Sequence, residues 1–299
     1  MRISTQTLFE TGVARISDLQ SGLVRTQQQI STGRRILVPS DDPAGTARAL
    51  EITQSQSLNT QYGLNRKHAR GALGAVEGTL SSVTSLIQDA KTTVIAAGNA
   101  VLSDTERGFM ATELRGRFDE LLGLANTRDA LGNYLFSGFQ TATPAFVQTP
   151  TGALYQGDQG NRLVQVDAAR QIAVSNTGQS VFQGGGQDMF QTLNDLIVLL
   201  QTPGTAGLSA GLATANGKLD LALDNVLTAR AAGGSRLQEL DALDNTGEDR
   251  NLQYSQSLSE LQDLDYAHAL TQLTQQQTTL EAAQRSFVKT AGLSLFNFL

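Results

Sequence analysis

Residues 30–50 read ISTGRRILVPSDDPAGTARAL, and the meaning of this stretch decides the fold. Gly33 can take the left-handed backbone that ends a helix, and Pro39 lacks the amide donor that would continue one. Asp42 is a good N-cap, because its carboxylate can accept from an exposed first-turn amide, and Pro43 suits the first helical position, where no donor is missed. A stop followed at once by a start makes this a hinge between two helices. Asp41 and Asp42 are also a pair of adjacent acids of the kind that bind cations. Nothing nearby supplies the remaining oxygen ligands, so capping is the simpler role.

On the amino-terminal side of the hinge, Phe9, Ile16, Leu23, Ile30 and Leu37 recur every seven residues, with Leu19 beginning a second row. That spacing keeps one stripe on one side of a helix. The carboxyl end repeats the device with Tyr266, Leu273, Leu280 and Phe287, and a companion row of Leu270, Ala291 and Phe298 is interrupted by Gln277 and Gln284. A lone helix with so polar a surround is marginal in water. The stripes are therefore expected to pair the two ends with each other and with neighbouring copies, through Phe9, Ile16, Leu23 and Ile30 at one end and Leu273, Leu280 and Phe287 at the other. The ends would then be loosely held in the free chain. Ordinary packing inside one helical domain is the plainer alternative.

Between the ends the sequence is helix-compatible from Ala44 to about Asn99. SDTE (103–106) has the pattern of a capping box and opens a helix expected to reach about Leu131. The pattern then changes to short β-like runs, ALYQG (153–157), NRLVQVDA (161–168) and RQIAVSN (170–176), separated by TPTG, GDQG and NTGQ turns. Asp188 to Gln201 restarts a helix, TPGTAG (202–207) interrupts it, and helical sequence resumes from about Leu208 to Arg230. It is expected to pause at AAGGS (231–235) and resume, with Asn245 or Thr246 as a local cap. The fold expected is mainly α: an elongated helical bundle with long terminal coiled-coil helices and a small β-rich insert. Its parts are terminal assembly arms (1–41 with 270–299), a helical bundle (42–133 with 187–269) and the insert (134–186).

Composition narrows the function. The 299 residues are 40% hydrophobic but only 5% aromatic, and include 29 glycines, which favours thin packing over a bulky enzyme core. There is no cysteine, hence no disulfide and no thiolate metal site. The start MRISTQTLFE has no hydrophobic signal core, and the longest aliphatic run, LIVLL (196–200), is far short of a membrane span. Net charge is −6, yet the first 37 residues hold Arg2, Arg15, Arg25, Arg34 and Arg35 against Glu10 and Asp18. These cations are sparse and not interleaved with aromatics, so they read as a solvated helix face rather than a nucleic-acid surface.

Candidates for catalysis are few. The only histidines are His68, in a basic helical turn, and His268, near Asp265 and facing away from the seam. No G-x-S-x-G, phosphate loop or H-E-x-x-H is present, and GGG (184–186) is most simply a linker. Asp158 and Asp167 in the insert are conceivable as paired carboxylates of a glycan-cleaving site, although turn capping and a strand end explain them more simply. The Gln-rich TQQQTTLEAAQ (274–284) is reminiscent of a chemoreceptor's methylated helix, but no membrane span accompanies it. No cofactor is expected.

STGRRILVPSDDPAGTARA (31–49) resembles the amino-terminal signature of the bacterial flagellin superfamily. GNYLFSGFQTATPAF (132–146), YQGDQGNRLVQV (155–166) and LEAAQRSFVKTAGLSLFNFL (280–299) resemble the hook-filament junction branch of that superfamily more than flagellin itself, which stays the nearest alternative. The resemblance implies an exported structural protein of the bacterial flagellum, extracellular and secreted through the flagellar type III channel without a cleaved signal. It implies as partners copies of the same chain in a tubular layer, a neighbouring hook-associated protein, flagellin, and a cytoplasmic export chaperone on the carboxyl-terminal helix.

Overall fold

The computed structural model describes residues 5–99 and 101–296. Its elements are α1 (Thr5–Thr32), α2 (Pro43–Ala97), α3 (Asp104–Ala125), β1 (Phe146–Thr149), β2 (Gly152–Tyr155), β3 (Leu163–Asp167), β4 (Arg170–Ala173), α4 (Gly178–Phe182), α5 (Met189–Gln201), α6 (Leu208–Gln262) and α7 (Tyr266–Phe296). The chain divides into two compact units. One, outer in sequence, takes the chain up to Leu58 and from Asp249 onward, and the other, inner in sequence, is Asn59–Glu248. The long helices α2 and α6, 55 residues each, contribute to both.

The inner unit is built on helical stripes spaced three and four apart, which place one face of each helix inward. Ala111, Leu114, Phe118, Leu121 and Ala125 of α3 and Leu193, Leu196, Ile197 and Leu200 of α5 meet Leu80, Val83, Ile87, Ala90 and Val94 of α2 and Leu219, Ala222 and Val226 of α6 in one core. Five phenylalanines, Phe118, Phe136, Phe146, Phe182 and Phe190, are fully buried there. The low aromatic content is thus concentrated at one place, where the irregular stretch 126–145 and the first hairpin must be held to the helices.

The β region is two separate antiparallel hairpins, β1–β2 and β3–β4, rather than one small sheet. In the first, the expected run ALYQG supplies the end of β2, whereas its partner FVQT is short and half polar and carries no strand signal by itself. The second hairpin sits on a core of its own, where Val166, Ile172 and Val174 pack with Ala69 and Leu73 of α2 and Leu240 of α6. Arg66, 4% exposed, anchors it by donating to the Val166 carbonyl at 2.9 Å while pairing with Asp244.

Three sequence expectations need correcting. The capping box at Ser103 and Glu106 forms as expected, but its helix ends at Ala125, short of Leu131. Asn126 stops it: its side chain accepts from the Phe146 amide at 2.9 Å and donates to the Phe146 carbonyl at 2.8 Å, imitating a strand partner. Helix α6 runs through Gly233, Gly234, Asn245 and Thr246 without a break. Interior glycines cost about 1 kcal/mol each, and contacts on either side offset this. Arg230 pairs with Glu77, Leu240 is buried, and the Gly247 carbonyl accepts from Asn59 Nδ2 at 2.7 Å. Finally, GGG is a tight turn and not a loose linker: Gly185 and Gly186 hold φ +67° and +78° between α4 and α5.

Candidate functional site

The outer unit carries the hinge and both terminal helices. Gly33, φ +70°, follows the last residue of α1, and its amide donates to the Gln29 carbonyl at 2.9 Å. The chain then lies antiparallel to the α6–α7 junction: the Arg35 amide donates to Gln262 O at 2.7 Å and the Leu264 amide to Gly33 O at 3.0 Å. Pro39 does not itself end α1. It occupies the second position of a turn closed by the Asp41 amide and the Val38 carbonyl at 2.9 Å, where a fixed φ is an advantage.

The two aspartates are spent on this hinge. Asp41 accepts from the Leu37 and Val38 amides at 3.0 and 3.2 Å and pairs with Arg25 at 2.5 Å. Asp42 accepts from the Gly45 amide at 2.8 Å, capping α2 behind Pro43, and pairs with Arg35 at 3.1 Å. Arg35 also donates to the Leu261 carbonyl at 2.8 Å. One guanidinium thereby ties the start of α2 to the end of α6. Asp265 opens α7 in the same manner, accepting from the His268 amide at 3.1 Å. The reading of the amino-terminal arginines as a solvated helix face is corrected for Arg25 and Arg35, which pair with Asp41 and Asp42, and the seven-residue interval from Arg35 to Asp42 across a turn is a usable signal for the second pair.

These contacts set the acid sensitivity of the hinge. Burial pushes the Asp41 carboxyl up, but the Leu37 and Val38 amides and Arg25 outweigh it, and the result lies below the ordinary 3.8. The Gly45 amide, then Arg35, hold Asp42 below the same value against a smaller burial effect. A carboxyl with a depressed folded pKa stabilises fully above its unfolded value and loses that contribution as pH falls through the folded one. Hydrogen-exchange protection of residues 33–46, corrected for intrinsic rates, is expected to be level from about pH 7 to 5 and to fall below about pH 4. Protection unchanged down to about pH 2.5 would contradict this linkage.

The terminal helices α1 and α7 lie in contact. Phe9 and Phe287 meet with ring centroids 5.1 Å apart, and Gly12 makes room for them, since a Cβ there would stand 2.7 Å from the Phe287 ring. Ile16, Leu23 and Ile30 of α1 and Leu273, Leu280 and Phe287 of α7 are all half-buried, while Phe9 is 53% exposed. The companion row of α7 is shifted by one from the expected position. Ala269, Gln276 and Ala283 face inward, whereas Leu270, Gln277 and Gln284 are exposed. Three- and four-residue steps from Leu273 reach either row, so spacing alone does not choose between them, and the packing of α7 against α1 covers the former. The Ala291 side chain and Phe298 lie outside the described residues.

Among the described residues, α1 buries only Thr26 and α7 only Ala269. Large apolar side chains stay open to solvent on both helices: Val13 and Val24 on α1, and Tyr266, Leu270 and Val288 on α7. This is a seam half closed by its own chain.

The residues considered for catalysis do not assemble. His68 and His268 are exposed on different helices. The Asp158 carboxylate accepts from the Phe139 and Gly160 amides at 3.0 and 2.7 Å, which hold its pKa low and make it a turn cap. Asp167 sits opposite Arg170 at the end of a hairpin. Among the described residues no group of three His, Cys, Asp or Glu could hold a metal ion, and no helix is long and apolar enough to cross a membrane.

Residues 3–141 match the bacterial flagellin N-terminal helical region. The flagellar hook-associated protein 3 of Escherichia coli strain K12 is 36% identical over 316 residues, covering 99% of each chain. The flagellin of Bacillus subtilis strain 168 is 25% identical, covering 95% of this chain and 94% of its own. A solved structure of a flagellar hook-associated protein from Vibrio parahaemolyticus superposes with a TM-score of 0.70 at 26% identity, covering 75% of this chain and all of that one. The half-closed terminal seam thus sits in a chain that matches a hook-associated protein from end to end and flagellin more distantly, and the chain belongs to the flagellar hook-associated protein 3 family, the structural hook-filament junction proteins of the flagellin superfamily.

Proposed function

We propose that this chain forms the adaptor layer between a neighbouring hook-associated protein and the flagellin filament, and that α1 and α7 are the surfaces through which it assembles. In this reading the terminal arms, residues 1–41 with 270–299, join copies of the chain into a tube. The bundle helices stand in its wall and the hairpins face outward. The protein reaches its place through the flagellar type III channel, with an uncleaved amino-terminal signal and a cytoplasmic chaperone on α7.

The observation that carries the reading is the incomplete burial of the terminal seam. Helices of 28 and 31 residues bury one residue each among those described, so most of the stabilisation that tertiary packing normally lends a helix is missing from the single chain. Neighbouring copies that cover Val13, Val24, Leu270 and Val288 would supply it. A segment of this kind can thread a narrow channel unfolded, be held by a chaperone, and order fully on assembly.

Hydrogen exchange on the purified monomer tests this. Residues 5–32 and 266–296 are expected to exchange within seconds, while α3, α5 and the core-facing part of α2 stay protected for hours or longer. Terminal helices as protected as the core would show that the seam is already complete within one chain, and assembly-coupled folding would be wrong.

A further inference from the structure

The seam between α1 and α7 is keyed at three points, where a large side chain of α7 lies over a glycine of the amino-terminal arm. A Cβ on Gly12 would stand 2.7 Å from the Phe287 ring, one on Gly33 2.8 Å from the Tyr266 hydroxyl, and one on Gly22 3.8 Å from Gln276 Nε2. These contacts run in opposite order along the two segments, so they fix one antiparallel register. Sliding α7 by a heptad would lift both aromatic rings off their glycines.

Between the two aromatic contacts, that register delivers Gln276 into the seam. It is the one polar residue in the inward row of Ala269, Leu273, Gln276, Leu280, Ala283 and Phe287. Its Oε1 is enclosed and has no hydrogen-bond partner among the described residues. Thr26, buried on the facing side of α1, does not serve it, because the Thr26 hydroxyl donates to the Gly22 carbonyl at 3.1 Å. An acceptor stripped of water and left unpaired costs stability. Here the cost falls on a seam with little to set against it, since among the described residues the two helices bury only Thr26 and Ala269. When α7 lifts from α1 the same carbonyl regains water. Against the larger surface that neighbouring copies would cover, one unpaired carbonyl is a minor loss.

On the reading of α1 and α7 as assembly surfaces, we infer that Gln276 is the residue that holds the terminal seam open in the free chain and keeps both arms available to neighbouring copies.

Hydrogen exchange of the full chain, read with millisecond mixing, tests this. Relative to the parent, Gln276→Met should slow exchange across residues 12–30 and 266–287 by about tenfold or more, with the main melting transition unchanged. Met and Gln are alike in helix propensity, so the effect reports the lost amide and not a better helix. Gln277→Met, at the exposed neighbouring position, should change those rates by less than about twofold. Fast exchange in the parent that Gln276→Met leaves unaltered, or an equal slowing in Gln277→Met, overturns this role of Gln276 alone. Terminal helices in the parent as protected as the core overturn it together with the assembly reading.

Discussion

Leu280→Asp is expected to leave the inner unit folded and to abolish filament attachment. Leu280 sits in the middle of the α7 row that faces α1, half-buried between Leu273 and Phe287. A carboxylate placed there loses hydration without gaining a partner, which costs a few kcal/mol when the seam closes completely. In the free chain the seam is only partly covered, so the charge can stay wet. Its penalty falls on the assembled state. The far-UV circular dichroism and main melting transition of the purified variant should therefore match the parent, while cells carrying it shed their filaments and do not swim. The Leu280→Met variant, similar in volume and apolar, should swim normally. Normal motility in Leu280→Asp would place the assembly contacts elsewhere, and joint loss of melting transition and motility would mean that the seam stabilises the monomer.

Phe190→Ala should give the opposite pattern, with the inner unit itself weakened. Phe190 has no exposed surface and contacts three rings, with centroids 4.8 Å to Phe146, 5.8 Å to Phe118 and 6.1 Å to Phe182. Its removal opens a cavity where α3, α5 and the first hairpin meet, and those elements cannot all close upon it. Such truncations cost about 3 to 5 kcal/mol, which for a unit of this size lowers the melting temperature on the order of 10 °C. Denaturant melts should show a lower midpoint at unchanged slope. A loss under about 1 kcal/mol would mean that the aromatic cluster repacks freely and that the hairpin is held mainly by its hydrogen bonds.

Much of this architecture is legible in local chemistry. Gly33, Asp42 and Pro43 act through their own backbone geometry and their nearest amides, so the hinge can be read wherever the chain is met. The capping box at Ser103 and the Asp188 cap of α5 are likewise local. The heptad rows of α1 and α7 are repeated along the chain, and repetition reveals a buried side even when no partner is known. Errors arose where the deciding contact is distant in sequence. Helix α3 stops early because Asn126 pairs with Phe146, twenty residues on. Helix α6 passes over two glycines because Glu77 and Asn59 hold it from another helix. Strand β1 exists only because ALYQG lies beside it.

The amino-acid pattern alone was enough to establish a mainly helical chain, a hinge after residue 33 and apolar stripes at both ends, since each depends on neighbours within a few residues. Which companion row closes the seam and how Arg35 and Asp42 bind the hinge to the end of α6 depend on segments far apart in the chain. Those outcomes are settled by packing, where a contact is favourable only after two surfaces have already been brought together.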